Sequence, residues 1–262
     1  MKQRTITAII AMGVFIPFVV IGKMPFILLT YLIATIGLYE SLKMRNLRIG
    51  SIPGIISIAL LWIFLIPSKY TVVIEELGYT KIELALLAIL LFLTYTVVTR
   101  NRFTFDDVAF SVMAILYVGI GFYYLIETSL AGVEYVFFAL ILVWATDSGA
   151  YIIGRSIGKR KLWPDISPNK TIEGSIGGMV CALLVGLIFG LVVFDIPLPK
   201  ILILSAILSF FGQIGDLVES ALKRHYEVKD SGQLLPGHGG ILDRFDSLLF
   251  VIPLLHFLNI IS

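Results

Sequence analysis

Cysteine is nearly absent: Cys181 is the only one in 262 residues, so the chain has no partner for an intrachain disulfide, and no Cys/His spacing suits a zinc centre. Charge is scarce too, with Asp, Glu, Lys and Arg at 15% of the residues. Twenty basic residues stand against 18 acidic ones, a net charge of +2 that is too even for nucleic-acid recognition. The three histidines form no Ser/His/Asp arrangement, and no GKS or GKT follows a glycine-rich turn as a Walker A loop would require. Internal repeats, low-complexity tracts and a polar stretch long enough for a soluble domain are also missing. What is present is apolar. A hydrophobic fraction of 58% and a mean hydropathy of +0.97 describe a chain whose solvent is lipid.

The opening MKQRTITAIIAMGVFIPFVVIG starts basic, but its apolar run is long and lacks a small-residue cleavage site, so it reads as a first span. Nine segments read as helical spans: 5–21, 25–39, 52–67, 82–98, 108–126, 133–153, 174–194, 199–220 and 247–261. Continuous apolar runs favour helices over the alternating strands of a barrel. The expected fold class is therefore all-α, a polytopic membrane protein. The second and ninth spans are short for a hydrocarbon core of about 30 Å. Residues 1–100 would form N-terminal helices, and residues 101–262 the C-terminal helices that carry the catalytic loops, within one integral membrane unit.

With the N-terminus inside, only Lys23, Lys69, Lys81 and Lys200 of the 20 basic residues fall outside. That bias predicts a cytoplasmic N-terminus in the cell membrane. Two inside segments, 147–173 and 223–246, are long, charged and rich in Gly and Pro, so function is expected there and at the adjoining helix ends.

Asp216 lies where the hydrophobic pattern of the eighth span is still running. Helical spacing puts Asp216, Ser220 and Lys223 on one face, with Gln213 a turn earlier. An acid inside the membrane points to function, although an ion pair with a lysine would also account for it. Asp243 and Asp246, three apart at the mouth of the ninth span, would point the same way. With Asp216 they offer three hard oxygen ligands suited to Mg²⁺, as one ion or more than one. Capping and the helix dipole could explain one of that pair.

Between these acids lies Leu235-Pro236-Gly237-His238-Gly239-Gly240, flanked by Lys223, Arg224, Lys229 and Arg244. Glycines let backbone N–H groups approach phosphate oxygens, and the cations would neutralise them. His238 reads equally as an acid–base group or as a turn residue. Asp147 is a further acid in an apolar stretch, and Lys170 could meet a phosphate. Thr171 followed by Gly174 also reads as a helix start. Lys159, Arg160 and Lys161 read as an anchor near anionic headgroups. Cys181 reads as packing, and His225 and His256 carry no pattern.

The stretch 220–246, SALKRHYEVKDSGQLLPGHGGILDRFD, resembles the signature of the phosphatidate cytidylyltransferases, or CDP-diacylglycerol synthases. That pattern asks for Ser, Lys-Arg, Lys-Asp, a small residue, His-Gly-Gly and Asp-Arg-x-Asp. Ser220, Lys223, Arg224, Lys229, Asp230, Gly232, His238, Gly239, Gly240, Asp243, Arg244 and Asp246 fill it. DSGAY and SPNKTIEG resemble the family's second landmark. The resemblance implies that CTP and phosphatidic acid give CDP-diacylglycerol and pyrophosphate. It further implies catalytic Asp216, Lys223, Asp243 and Asp246, the three aspartates binding metal, and substrate contacts from Asp147, Lys170, Ser220, Arg224, Lys229, Asp230, Gly237, His238, Gly239, Gly240 and Arg244. CTP is soluble while the acyl chains stay in the bilayer, so the polar cavity should open both to the cytoplasm and sideways to lipid. A homodimer is compatible with the sequence, but no spacing of small residues compels it. The rival readings are an ion-coupled transporter using the same acids, or a CTP-dependent enzyme acting on another lipid acceptor.

Overall fold

The structure is a computed structural model and describes residues 2–76 and 78–261. The chain order is α1 (Lys2–Ile21), α2 (Lys23–Met44), α3 (Ile52–Leu65), a short 3₁₀ turn (Ser68–Tyr70), α4 (Val72–Glu75), α5 (Lys81–Val98), α6 (Phe105–Ala131) and α7 (Val133–Ile157). A hairpin of β1 (Lys161–Trp163) and β2 (Ser167–Thr171) follows, then α8 (Ile172–Val192), α9 (Leu198–His225) and α10 (Leu242–Phe257).

A helix overlaps each of the nine expected segments, but among the described residues six helices, not nine, meet the length and apolarity of a membrane span. Among the described residues, α2, α5, α6, α7, α8 and α9 are long and apolar enough to cross a membrane, while Ile6–Ile21 and α3 are shorter apolar helices. α2 corrects the sequence-based expectation of a short second span. It runs for 22 residues, because Glu40 and Lys43, which look like loop residues, continue the helix. α10 stays short at 16 residues. Large apolar side chains such as Leu86, Leu90, Ile188 and Leu191 are exposed, as lipid-facing residues of a multi-pass membrane protein are.

The chain divides into two compact units, Met1–Glu127 with Asp230–Leu242, and Thr128–Lys229 with Asp243–Ser262. In the first, Phe26 and Leu38 of α2, Leu61 and Leu65 of α3, Phe92 of α5 and Phe122 of α6 are fully buried. Gly37 of α2 leaves room for the Leu242 side chain. The ends of this unit's helices are set locally. Ser51 caps α3, and Thr80 with Glu83 forms a capping box on α5.

The second unit is held by close helix contacts. A Cβ on Gly178 of α8 would stand 2.6 Å from the Thr146 carbonyl of α7, so the two backbones touch. A Cβ on Gly215 of α9 would stand 2.7 Å from the Asp246 carbonyl of α10. The first joins α7 to α8 next to Asp147 and the second joins α9 to α10 next to Asp216, while Thr146 Oγ1 donates to Ser209 Oγ at 3.0 Å and ties α7 to α9. Cys181 packs against Gly149, in keeping with a packing role.

The β-hairpin is the element that hydropathy does not reveal. Lys161 pairs with Thr171 and Trp163 with Ser167. The hairpin then delivers Thr171 as the cap of α8, its Oγ1 accepting from the Gly174 amide at 3.1 Å, as the Thr171/Gly174 spacing suggests.

Candidate active site

The site is built in the second unit. A cavity of about 470 Å³ is lined by Asp147, Tyr151 and Arg155 of α7, Asn169 and Lys170 of β2, and Gln213 and Asp216 of α9, among others. The antiparallel return of β2 carries Lys170 to the cavity, where its Nζ lies 2.7 Å from Asp216 Oδ2. Ser220 Oγ donates to Asp216 Oδ1 at 3.3 Å, one helical turn along the polar stripe of α9. Gln213 Nε2 donates to the Ser175 carbonyl at 3.3 Å and ties α9 to α8.

A second group of charges includes Lys223. Its Nζ donates to Glu219 Oε2 at 2.5 Å and to Asp243 Oδ1 at 2.6 Å. All three are sequestered, with side-chain exposures of 12% for Lys223, 0% for Glu219 and 5% for Asp243. Glu219 Oε1 is buried without a hydrogen-bond partner. An orphaned carboxylate oxygen in such surroundings is costly.

Asp246 connects the two groups. Its Oδ1 accepts from the Ser247 amide at 2.6 Å, and its carboxylate lies in electrostatic range of Asp216, Asp147 and Lys223. Glu219 feels both Asp246 and Asp243, while Asp147 feels Asp216, Lys170 and Arg244. The structure thus brings together Asp147, Lys170, Asp216, Ser220, Lys223, Asp243, Arg244 and Asp246. Of the other expected residues of this unit, Arg224 is exposed and donates from Nε to the Ile166 carbonyl at 3.4 Å, and Lys229 is exposed.

Asp230 and the glycine turn belong to the first unit. Asp230 is exposed there. Gly237 and Gly239 adopt φ of 77° and 82°, the left-handed region that favours glycine. The His238 amide donates to the Leu235 carbonyl at 2.8 Å, and the Leu235 amide to the Gly239 carbonyl at 3.0 Å, which closes the turn. His238 Nδ1 is buried without a partner. Gly240 is buried beside Ser231 and Glu40.

The Lys159–Lys161 cluster stays outside the cavity. The Lys159 and Arg160 amides donate to Glu173, while the Arg160 side chain is 82% exposed. Sequence reasoning missed Glu219. A signal was available, since Glu219 is an acid in the apolar stretch LVESAL and stands four residues before Lys223.

Among the described residues no group of three or more His, Cys, Asp or Glu side chains is arranged to hold a metal ion. Asp216 and Asp243 each face a lysine instead. The chemistry of the donors nevertheless fits a hard divalent cation. Five carboxyl groups, at Asp147, Asp216, Glu219, Asp243 and Asp246, share their surroundings with the cations of Lys170, Lys223 and Arg244. Hard oxygen donors therefore outnumber the cations beside them, and one of those oxygens, Glu219 Oε1, is orphaned.

The Cytidylyltransferase family matches residues 2–261. The chain is 54% identical to the phosphatidate cytidylyltransferase of Bacillus subtilis (strain 168), over 98% of this chain and 97% of that one. It is 53% identical to the phosphatidate cytidylyltransferase of Staphylococcus saprophyticus over 99% of both chains, and 48% identical to that of Staphylococcus haemolyticus over the same shares. With its charged site among membrane helices, this chain belongs to the cytidylyltransferase family and is a membrane-embedded nucleotidyltransferase.

Proposed function

We propose that the enzyme transfers CMP from CTP to phosphatidic acid, releasing pyrophosphate and leaving CDP-diacylglycerol in the membrane for phospholipid synthesis. The observation that carries this reading is the Lys170–Asp216 pair at 2.7 Å on the wall of the cavity, with Asp246 in electrostatic range of Asp216. Such a mixed cluster can exchange internal ion pairs for contacts with polyanions. The relatives' printed activity supports the same substrates.

In the proposed reaction an oxygen of the lipid phosphate forms a bond to the α-phosphorus of CTP. The bond from that phosphorus to the oxygen bridging to the β-phosphate breaks, and pyrophosphate departs with the electron pair. The lipid phosphate is already anionic near neutral pH, so neither a covalent enzyme intermediate nor a strong base is needed. The protein's task is to align two polyanions and cancel their repulsion. Lys170 and Lys223 would turn from Asp216 and Asp243 toward phosphate oxygens, with Arg155 and Arg244 adding positive charge. His238 is assigned to loop geometry or phosphate contact. Asp216, Asp243 and Asp246 would hold Mg²⁺, with Glu219 Oε1 as a further oxygen. When bound, the cation supplies charge neutralisation at the reacting phosphates.

The bias of basic residues favours the cell membrane, with the N-terminus and the site on the cytoplasmic side. The test is an assay of purified enzyme with radiolabelled CTP and phosphatidic acid, with and without Mg²⁺. Labelled CDP-diacylglycerol and stoichiometric pyrophosphate are expected. Absence of CTP consumption with phosphatidic acid, or preference for a polyprenyl or ether-lipid phosphate, would overturn the reading.

A further inference from the structure

Glu40 is 2% exposed, and it lies far in sequence from the signature stretch. A carboxylate so deeply buried requires compensation. It receives this from the first unit's C-terminal segment. Glu40 Oε2 accepts from Ser231 Oγ at 3.1 Å and from the Leu242 amide at 3.0 Å, while Oε1 accepts from the Ile241 amide at 3.0 Å. The last two donors are at the start of α10, where N–H groups have no acceptor within the helix and the helix dipole favours an anion.

The segment is also shaped around this carboxylate. A Cβ at Gly232 would collide with Glu40, and one at Gly240 would meet both Glu40 oxygens at 2.5 Å. Glu40 alone crowds position 232, while at 240 it does so together with the Ser231 hydroxyl that it binds. Leu242 is the first residue of α10, so holding its amide fixes where that helix begins.

We propose that Glu40 is a positioning residue: its carboxylate is the template for the 231–242 segment and sets the start of α10, without touching either substrate. The link to turnover rests on the function proposed above, whereas the link to the segment's conformation does not. Glutamine keeps the size of the side chain but offers one acceptor oxygen in place of two, and sets an N–H₂ group against a donor.

The test uses full-length Glu40→Gln, Glu40→Asp and Gly232→Ala in detergent micelles, with the double variant Glu40→Asp/Gly232→Ala. In Glu40→Gln, hydrogen exchange across 231–242 should rise by about tenfold or more, while exchange in α7 and α8 is unchanged. Its kcat per folded enzyme should fall by about tenfold or more, with the KM for CTP within about threefold. Gly232→Ala should cost much less activity in the Glu40→Asp background, because the shorter side chain relieves the collision. Unchanged exchange across 231–242 in Glu40→Gln would overturn the proposal. So would strictly additive effects in the double variant. If the native enzyme turned over no CTP, the functional reading would fail, yet the exchange result would still decide for or against Glu40.

Discussion

Lys223 stands between Glu219 and Asp243, 2.5 Å from one carboxylate and 2.6 Å from the other. A single ammonium so placed links α9 to α10 inside the site and leaves Glu219 Oε1 unsatisfied. Breaking a sequestered pair on one side strands the remaining charge, so these residues act as a unit. Glu219→Gln removes the charge while keeping the shape. It is expected to lower kcat by about 10- to 100-fold and to raise the Mg²⁺ concentration needed for half-maximal rate. Steady-state assays over a Mg²⁺ series check this, and an unchanged Mg²⁺ dependence would remove Glu219 from the cation's surroundings.

Asp246 lies within reach of the fields of Asp216, Asp147 and Lys223. Asp246→Asn should abolish turnover, a loss of at least about 100-fold. Circular dichroism and membrane extraction should show it folded and inserted. EDTA should silence the native enzyme in the same way, with recovery on adding Mg²⁺. Normal activity in Asp246→Asn would refute the cation role.

The Lys159, Arg160 and Lys161 side chains are exposed, so they face the bilayer surface or water more readily than the reaction. Replacing all three by Gln should weaken attraction to anionic lipid by about 1 kcal/mol per residue near the surface. Vesicle partitioning of the purified enzyme reads that change. Turnover at saturating CTP should stay within about twofold, and a large loss would instead place the cluster in catalysis.

Gly215→Ala tests the α9–α10 contact. The added methyl would stand 2.7 Å from the Asp246 carbonyl and 2.9 Å from the Phe250 ring, so one helix must give way. A loss of about 1–3 kcal/mol is expected. Thermal unfolding in micelles measures it, and an unaltered midpoint would show that the contact tolerates a methyl group.

Much of the fold was legible because lipid imposes one strong rule, that apolar runs become helices. The stripe from Asp216 to Ser220 was legible for a similar reason, since helical period alone brings the two together. Partners across helices were not. Nothing local says that Lys170 returns on a hairpin to Asp216, because β1 and β2 are short, polar strands without an apolar alternation. Glu40 stayed hidden because its donors are residues 231, 241 and 242, and only folding supplies them. It reads as a loop residue, which also made α2 look too short.

The Gly178 contact has a consequence for how a two-tailed lipid reaches the chemistry. Where the α7 and α8 main chains touch at Gly178 and Thr146, no slot is left between them for a hydrocarbon tail. If the substrate is the diacyl lipid proposed above, its doorway must open away from this point of contact.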